Sequence, residues 1–258
     1  RGKGYYEEYR ADQPFSDYGL PDYINGTDTI TSTDLVRQLW LDNYFYGTIF
    51  SFQYNNNKTH VTFGGGLDEY DGKHYNIVTW SQYSFNGNHK YVDLPSGKSD
   101  INFYGKVLQT LGSGFSGFLD LQGRFINYHI AGFDDHPEID IRNKYSFFNP
   151  KIGITYNKNK FQAYASWSVA SKEPNRDDFE AGINQQPKPE LLYDLELGAE
   201  KTGSLFSYGA TLYYMSYKDQ LVNTGKINDV GAYTRTNTPK SYRLGAELQA
   251  ARKFASWL

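Results

Sequence analysis

The sequence contains no cysteine and only one methionine among its 258 residues. Without cysteine there is no disulfide framework, no thiolate metal site and no cysteine nucleophile. No run of 18 apolar residues occurs anywhere, which excludes helical membrane spans. A cationic excess is missing too: the formal net charge is -3, so the chain lacks the electrostatic footprint of a nucleic-acid binder. Mean hydropathy is -0.67. What the chain does have is aromatic side chains, 24 Tyr, 17 Phe and 4 Trp, far too many for a disordered polymer. Tyrosine in that abundance suits strands that meet something apolar on one face and something wet on the other. Arg1 opens the chain without an initiator methionine or signal segment, and residues 250–258 run out of a strand without a terminal turn. We therefore expect an internal piece of a longer protein.

Helical spacing with caps is absent, whereas alternation is persistent. Phe206, Tyr208, Ala210, Leu212 and Tyr214 share one parity against Ser207, Gly209, Thr211, Tyr213 and Met215. Leu191, Tyr193, Leu195 and Leu197 oppose Asp194, Glu196 and Gly198, and Phe115, Leu119, Leu121 and Phe125 oppose Asp120, Gln122 and Arg124. Tyr242, Leu244, Ala246 and Leu248 likewise oppose Arg243, Gly245 and Glu247. A side-chain period of two is what a pleated strand with unlike faces requires. About ten antiparallel strands follow, over 1–10, 35–54, 59–72, 99–111, 115–130, 145–156, 161–171, 191–201, 205–218 and 239–252. Short connections (55–58, 112–114, 157–160, 202–204) carry the residues that tight hairpins need. Long ones, roughly 11–34, 73–98, 131–144, 172–190 and 219–238, alternate with them. Much of 74–85 alternates as well, so part of that connection is expected to extend the sheet.

Two architectures produce such a pattern. A soluble sandwich or barrel buries the apolar face in a core. A membrane barrel turns it to lipid and the polar face to a lumen, with short turns at one end and long loops at the other. Unequal connections favour the second. So do aromatics near strand ends (Tyr44, Tyr46, Phe52, Tyr54, Phe147, Phe148, Tyr156, Phe161, Tyr213, Tyr214, Tyr217 and Tyr242), which suit two headgroup girdles. The expected fold is all-β: an antiparallel up-and-down transmembrane β-barrel segment cut from a wider barrel of roughly 16 to 22 strands.

Several stretches then carry a family likeness: Arg1-Gly-Lys-Gly-Tyr-Tyr-Glu-Glu-Tyr9, Phe147-Phe-Asn-Pro-Lys-Ile-Gly153, Glu173-Pro-Asn-Arg-Asp177, Pro187-Lys-Pro-Glu190 and Tyr193-Asp-Leu-Glu-Leu-Gly198. Tyr213-Tyr-Met-Ser-Tyr-Lys-Asp-Gln-Leu221, Lys226-Ile-Asn-Asp-Val-Gly231 and Pro239-Lys-Ser-Tyr-Arg-Leu-Gly-Ala-Glu247 follow in order. The sequence resembles the barrel domain of a TonB-dependent outer-membrane receptor of Gram-negative bacteria, over nearly all of residues 1–258. The resemblance implies a barrel of about 22 strands filled by an N-terminal plug domain of the same parent chain. It further implies capture of a scarce extracellular nutrient, an iron-siderophore, a corrinoid or a glycan, and import on energy relayed by TonB. Expected partners are the plug, TonB through the plug, the lipid bilayer and its lipopolysaccharide, and a surface lipoprotein. No nucleic acid, cofactor or enzymatic activity is implied. A passive porin-like channel and a soluble glycan-binding β-protein remain open alternatives.

Candidate sites follow from chemistry at particular positions. The aromatic-rich connections offer Phe15, Tyr18 and Tyr23, then Tyr75, Trp80, Tyr83, Phe85 and Tyr91, as ligand-stacking residues. Asp120, Arg124, Asp194, Glu196, Arg243 and Glu247 are expected to face the lumen and its plug. The run Asp134-Asp135-His136-Pro137-Glu138-Ile139-Asp140 could offer oxygens to a hard cation, but its spacing matches no calcium loop and it reads as a solvated loop tip. Glu173, Arg176, Asp177 and Asp178 read as rim architecture, with Arg176 pairing locally. Gly64-Gly65-Gly66, lacking the helix a phosphate loop needs, reads as a close approach in a strand. The five histidines show no paired metal spacing, and no catalytic constellation is present.

Overall fold

Alternating side chains over most of the chain become paired strands in the computed structural model, which describes residues 1–83, 87–133, 136–181, 186–227 and 233–254. The strands are β1 (Gly2–Pro14), β2 (Tyr23–Asn25), β3 (Asp28–Ile30), β4 (Ser32–Asn55), β5 (Thr59–Ser81) and β6 (His89–Gly112). β7 (Phe115–Phe133), β8 (His136–Lys158), β9 (Phe161–Lys172), β10 (Glu190–Thr202), β11 (Phe206–Ile227) and β12 (Tyr233–Arg252) follow. A 3-10 turn spans Phe15–Tyr18 and one short helix, α1, spans Arg176–Ala181. Ten strands form one up-and-down sheet in the order β1-β4-β5-β6-β7-β8-β9-β10-β11-β12, antiparallel wherever register is described. β2 and β3 pair separately as a small hairpin.

The short connections behave as their residues require. Asn159 and Lys160 both sit at positive φ, 54° and 60°, the geometry of a two-residue hairpin whose twist matches its strands. Asn56 closes another turn by accepting the amides of Lys58 and Thr59 at 2.9 and 2.8 Å.

The long connections are shorter than the sequence suggests. β5 and β6 extend through most of 73–98, β7 and β8 through all but two residues of 131–144, and β11 and β12 through most of 219–238. Strands of 22 to 24 residues, as in β4, β5, β6, β8 and β11, far exceed the roughly 9–11 needed to cross a bilayer. Outside an apolar belt neither face has to be hydrophobic, so the backbone ladder continues while the alternation fades. That is why composition reads most of these segments as loops, whereas the alternation over 74–85 does extend the sheet, to Ser81 of β5.

Two compact units emerge. One comprises 1–48, 67–100 and 126–144, and the other 49–66, 101–125 and 145–258. The first has a small apolar core in which Tyr18, Leu35 and Val78 pack with Leu20 and Tyr91. The second carries a row of large apolar side chains exposed: Leu119, Ile152, Trp167, Leu195, Leu212 and Leu244 all lie open on one parity of their strands. Along β7 the two regimes meet in sequence. Leu121 and Phe125 are exposed on the odd parity, whereas Ile126 and Ile130, on the even parity, are buried.

Candidate functional site

The first unit holds a cavity of about 560 Å³ lined by Arg10, Gln13, Tyr18, Arg37, Tyr91 and Asp93 among others. Strand pairing builds it: Arg10 lies opposite Leu35, and Glu8 opposite Arg37, so both arginines reach the same wall. Glu8 accepts from Nε of Arg37 at 2.6 Å and lies 3.9 Å from Arg10. Tyr18 donates its hydroxyl to Gln13 Oε1 at 3.1 Å, and burial raises its pKa above the ordinary tyrosine value, which keeps that proton in place. Guanidinium forks, an amide and tyrosine edges in one concavity suit a ligand rich in oxygen acceptors.

The expected stacking residues are distributed differently from the sequence reading. Phe15 is wholly buried and Tyr18 is 3% exposed, so Phe15 is a core ring and Tyr18 a buried one that only borders the cavity, and neither stands free for a ligand. The amide of Phe15 binds the Thr31 carbonyl at 3.1 Å, folding the 3-10 turn inward. Tyr91 meets Tyr18 edge to face at 4.8 Å and keeps part of its surface at the cavity. Tyr23 stacks on Tyr83 at 5.6 Å, and Tyr75 on Trp40 at 5.8 Å. Trp80 is half exposed. Phe85, Asp134 and Asp135 lie outside the described residues. The remainder of that acidic run is strand, not a loop tip: Asp140 accepts from Arg142 at 2.9 Å and contacts His129 at 3.0 Å. Among the described residues no group of three His, Cys, Asp or Glu could hold a metal ion.

The second unit presents a polar wall. Asp194 lies opposite Met215 and Met215 opposite Arg243, while one row along Glu196 faces Tyr213, which faces Gly245. In the next row Gly198 faces Thr211 and Thr211 faces Glu247. Glu196 and Glu247 are thus two strands and one row apart on a shared face. Among the described residues no hydrogen-bond or ion-pair partner exists for Asp120, Asp194, Glu196 or Glu247, and Asp194 Oδ1 is buried without one. Arg243 sits 5.4 Å over the ring of Tyr217. Tyr213 and Tyr217, expected in a headgroup girdle, belong to this wall: Tyr213 covers Gly245, and Tyr217 is 7% exposed.

Arg124 does not stand free on that wall. Its Nη1 and Nη2 donate to the two carboxylate oxygens of Glu173 at 2.8 and 2.9 Å. Asp178, likewise, takes Nε and Nη2 of Arg235, both at 2.8 Å. Glu173 and Asp178 therefore find their forked arginine partners on β7 and β12, 49 and 57 residues away, which no local spacing could reveal. Gly64 and Gly65 are close approaches, as read: a Cβ at either would lie within 2.7 Å of Phe50 O or Asn102 O.

The family model described as TonB dependent receptor-like, beta-barrel, matches residues 1–258. No curated protein sequence matches the chain. Among solved structures, the copper transporter OprC superposes with a TM-score of 0.68 at 11% identity, over 87% of this chain and 37% of that one. The FrpB iron transporter from Neisseria meningitidis (F3-3 variant) gives 0.55 at 17% identity, over 98% and 37%. The ferric citrate transporter FecA in its unliganded form gives 0.55 at 14% identity, over 85% and 33%. The chain spans less than two fifths of the length of each of these transporters. At such identities the likeness is one of fold.

Proposed function

This chain belongs to the TonB-dependent receptor-like β-barrel family, and on that premise we propose that it forms part of the wall of a nutrient receptor in the bacterial outer membrane. In this reading the exposed apolar parity of the second unit faces lipid and the opposite parity faces a plug domain. Extracellular ligand enters at the arginine- and tyrosine-lined cavity of the first unit, and TonB supplies the energy for its import through the plug. Family members and the structures similar to this chain are receptors and transporters, not enzymes. An oxygen-rich metal chelate fits the cavity's donors best, and the named cargoes of the similar structures, copper, iron and ferric citrate, lean the same way.

One observation carries the plug: four carboxylates, Asp120, Asp194, Glu196 and Glu247, share the polar parity and have no cation of their own among the described residues. Half-buried or exposed as they stand, these acids would need cations from any domain packed over them, because covering them unpaired is costly. The test is single-channel conductance of the intact receptor in planar bilayers. An unmodified receptor that stays closed, and a Glu196→Gln/Glu247→Gln variant that leaks, would support the reading. An unmodified receptor that conducts as an open pore would establish the porin-like alternative instead.

A further inference from the structure

The connection between β9 and β10 joins neighbouring strands, yet strands two places away on either side hold it. Glu173 at its start is forked onto Arg124 of β7, and Asp178 in α1 is forked onto Arg235 of β12. In the sheet β7 lies two strands before β9, and β12 two strands after β10. A third attachment follows where Asn237 of β12 accepts the amide of Lys188 at 2.7 Å and donates to its carbonyl at 3.0 Å. Arg124 shares its parity with Asp120 and Gln122, and Arg235 shares its own with Arg243 and Glu247, so both clamps sit on the polar side.

These attachments are also interior ones. Asp178 is 1% exposed and Phe179 not at all, and Pro174 is among the most buried side chains of the chain. Asn175 and Asp178 cap each other, each side chain accepting the other's amide, at 3.0 and 2.8 Å. A segment that opens and closes needs surfaces that are cheap to expose, with few buried apolar contacts. This one would have to bare Phe179 and Pro174 and separate two planar Arg–carboxylate forks, leaving charges unpaired.

We infer that residues 173–181, which open the β9–β10 connection, form a fixed crossbar on the passage wall, not a lid, and that their two arginine clamps limit the width of the passage. The inference rests on the polar parity being the lumen side, as proposed above. It makes Arg124, Glu173, Asp178 and Arg235 positioning residues for size selection, acting through the segment they hold.

Two measurements on the intact receptor test it. In hydrogen exchange, the amides of Asn175 and Asp178 are expected to be protected like those of β9 and β10; exchange about 100-fold faster would make the segment a lid and overturn the proposal. In planar bilayers with the plug displaced by urea, Arg124→Met/Arg235→Met is expected to raise conductance about two-fold over the unmodified receptor, and equal conductance would overturn the width claim. If that variant does not fold, Arg235→Lys, which keeps the charge and loses the fork, is expected to give a smaller rise by the same readout. Conductance of the unmodified receptor without urea reports the absence of a plug, and so separates failure of the receptor reading from failure of the crossbar.

Discussion

The ring of Tyr164 on β9 lies against Gly198 of β10 so closely that a Cβ at position 198 would come 2.2 Å from the ring's Cε1. The pairing recurs: Tyr104 covers Gly64, Phe118 covers Gly153 and Tyr213 covers Gly245. Each pair sits within one of the hairpins β5–β6, β7–β8, β9–β10 and β11–β12, so each of these four hairpins carries one ring seated in one glycine notch. An aromatic laid over a cross-strand glycine fixes register, because only one alignment supplies the notch.

Gly198→Ala should therefore destabilise the folded protein by about 1–3 kcal/mol, the usual cost of overpacking. In a Tyr164→Ala background the same substitution should cost almost nothing. Urea unfolding of the four proteins in lipid vesicles checks this. Additive effects of the two changes would mean that ring and glycine are energetically independent.

Leu195 is 44% exposed in the middle of β10, next to the exposed Trp167 of β9. If that face meets hydrocarbon, Leu195→Arg should cost about 2–4 kcal/mol in a bilayer. On a water-exposed face the same change would be close to neutral. Unfolding free energies in vesicles decide between the two, and a neutral substitution there would count against the membrane assignment.

Phe15 is fully buried in the first unit, where the sequence suggests a ligand-stacking ring. Phe15→Ala should lower stability by about 3–5 kcal/mol, as removal of a core aromatic does. Arg37→Gln should weaken ligand capture instead, with a smaller stability change. Thermal unfolding beside ligand titration separates the two roles.

Arg142, donating to Oδ2, holds the Asp140 carboxyl below its ordinary range, against desolvation and with help from His129. A carboxyl whose folded pKa is depressed contributes stability fully above its unfolded pKa, near about 4, and loses it as pH falls through the lower folded value. Arg142→Gln should bring the Asp140 pKa back toward about 3.9. The stability difference between the two proteins should be constant above about pH 5 and shrink below about pH 4. Carbon-detected NMR titration and melting between those values measure both, and a difference that persists undiminished into acid would contradict the assignment.

Strand pairing was largely legible because it follows from alternation: β9, β10 and the central parts of β7, β11 and β12 fall where Leu195, Leu121 or Leu244 alternate with Glu196, Gln122 or Arg243. The extension of β5 to Ser81 was legible from the alternation over 74–85, but the extensions of β6 and β8 carry polar residues on both parities and look like loops to any reading based on hydrophobic contrast. The acidic wall could be read from parity alone. The cavity's Arg10, Arg37 and Glu8 were missed, because only the β1–β4 register brings them together.

What the sequence determined by itself is the two-faced strand and its tight turns, both consequences of local geometry: a period of two, and residues that tolerate positive φ. The tertiary structure decided which polar residues remain unpaired. Arg124 and Asp120 share a strand face, yet Arg124 is committed to Glu173 while Asp120 has no partner among the described residues. That difference depends on where a connection 49 residues away comes to rest, and long-range pairing leaves no trace in spacing. Burial made the same decision for the aromatics. Phe15 and Trp80 are alike in composition, but one fills a core and the other stands half exposed, because only packing determines which rings leave water.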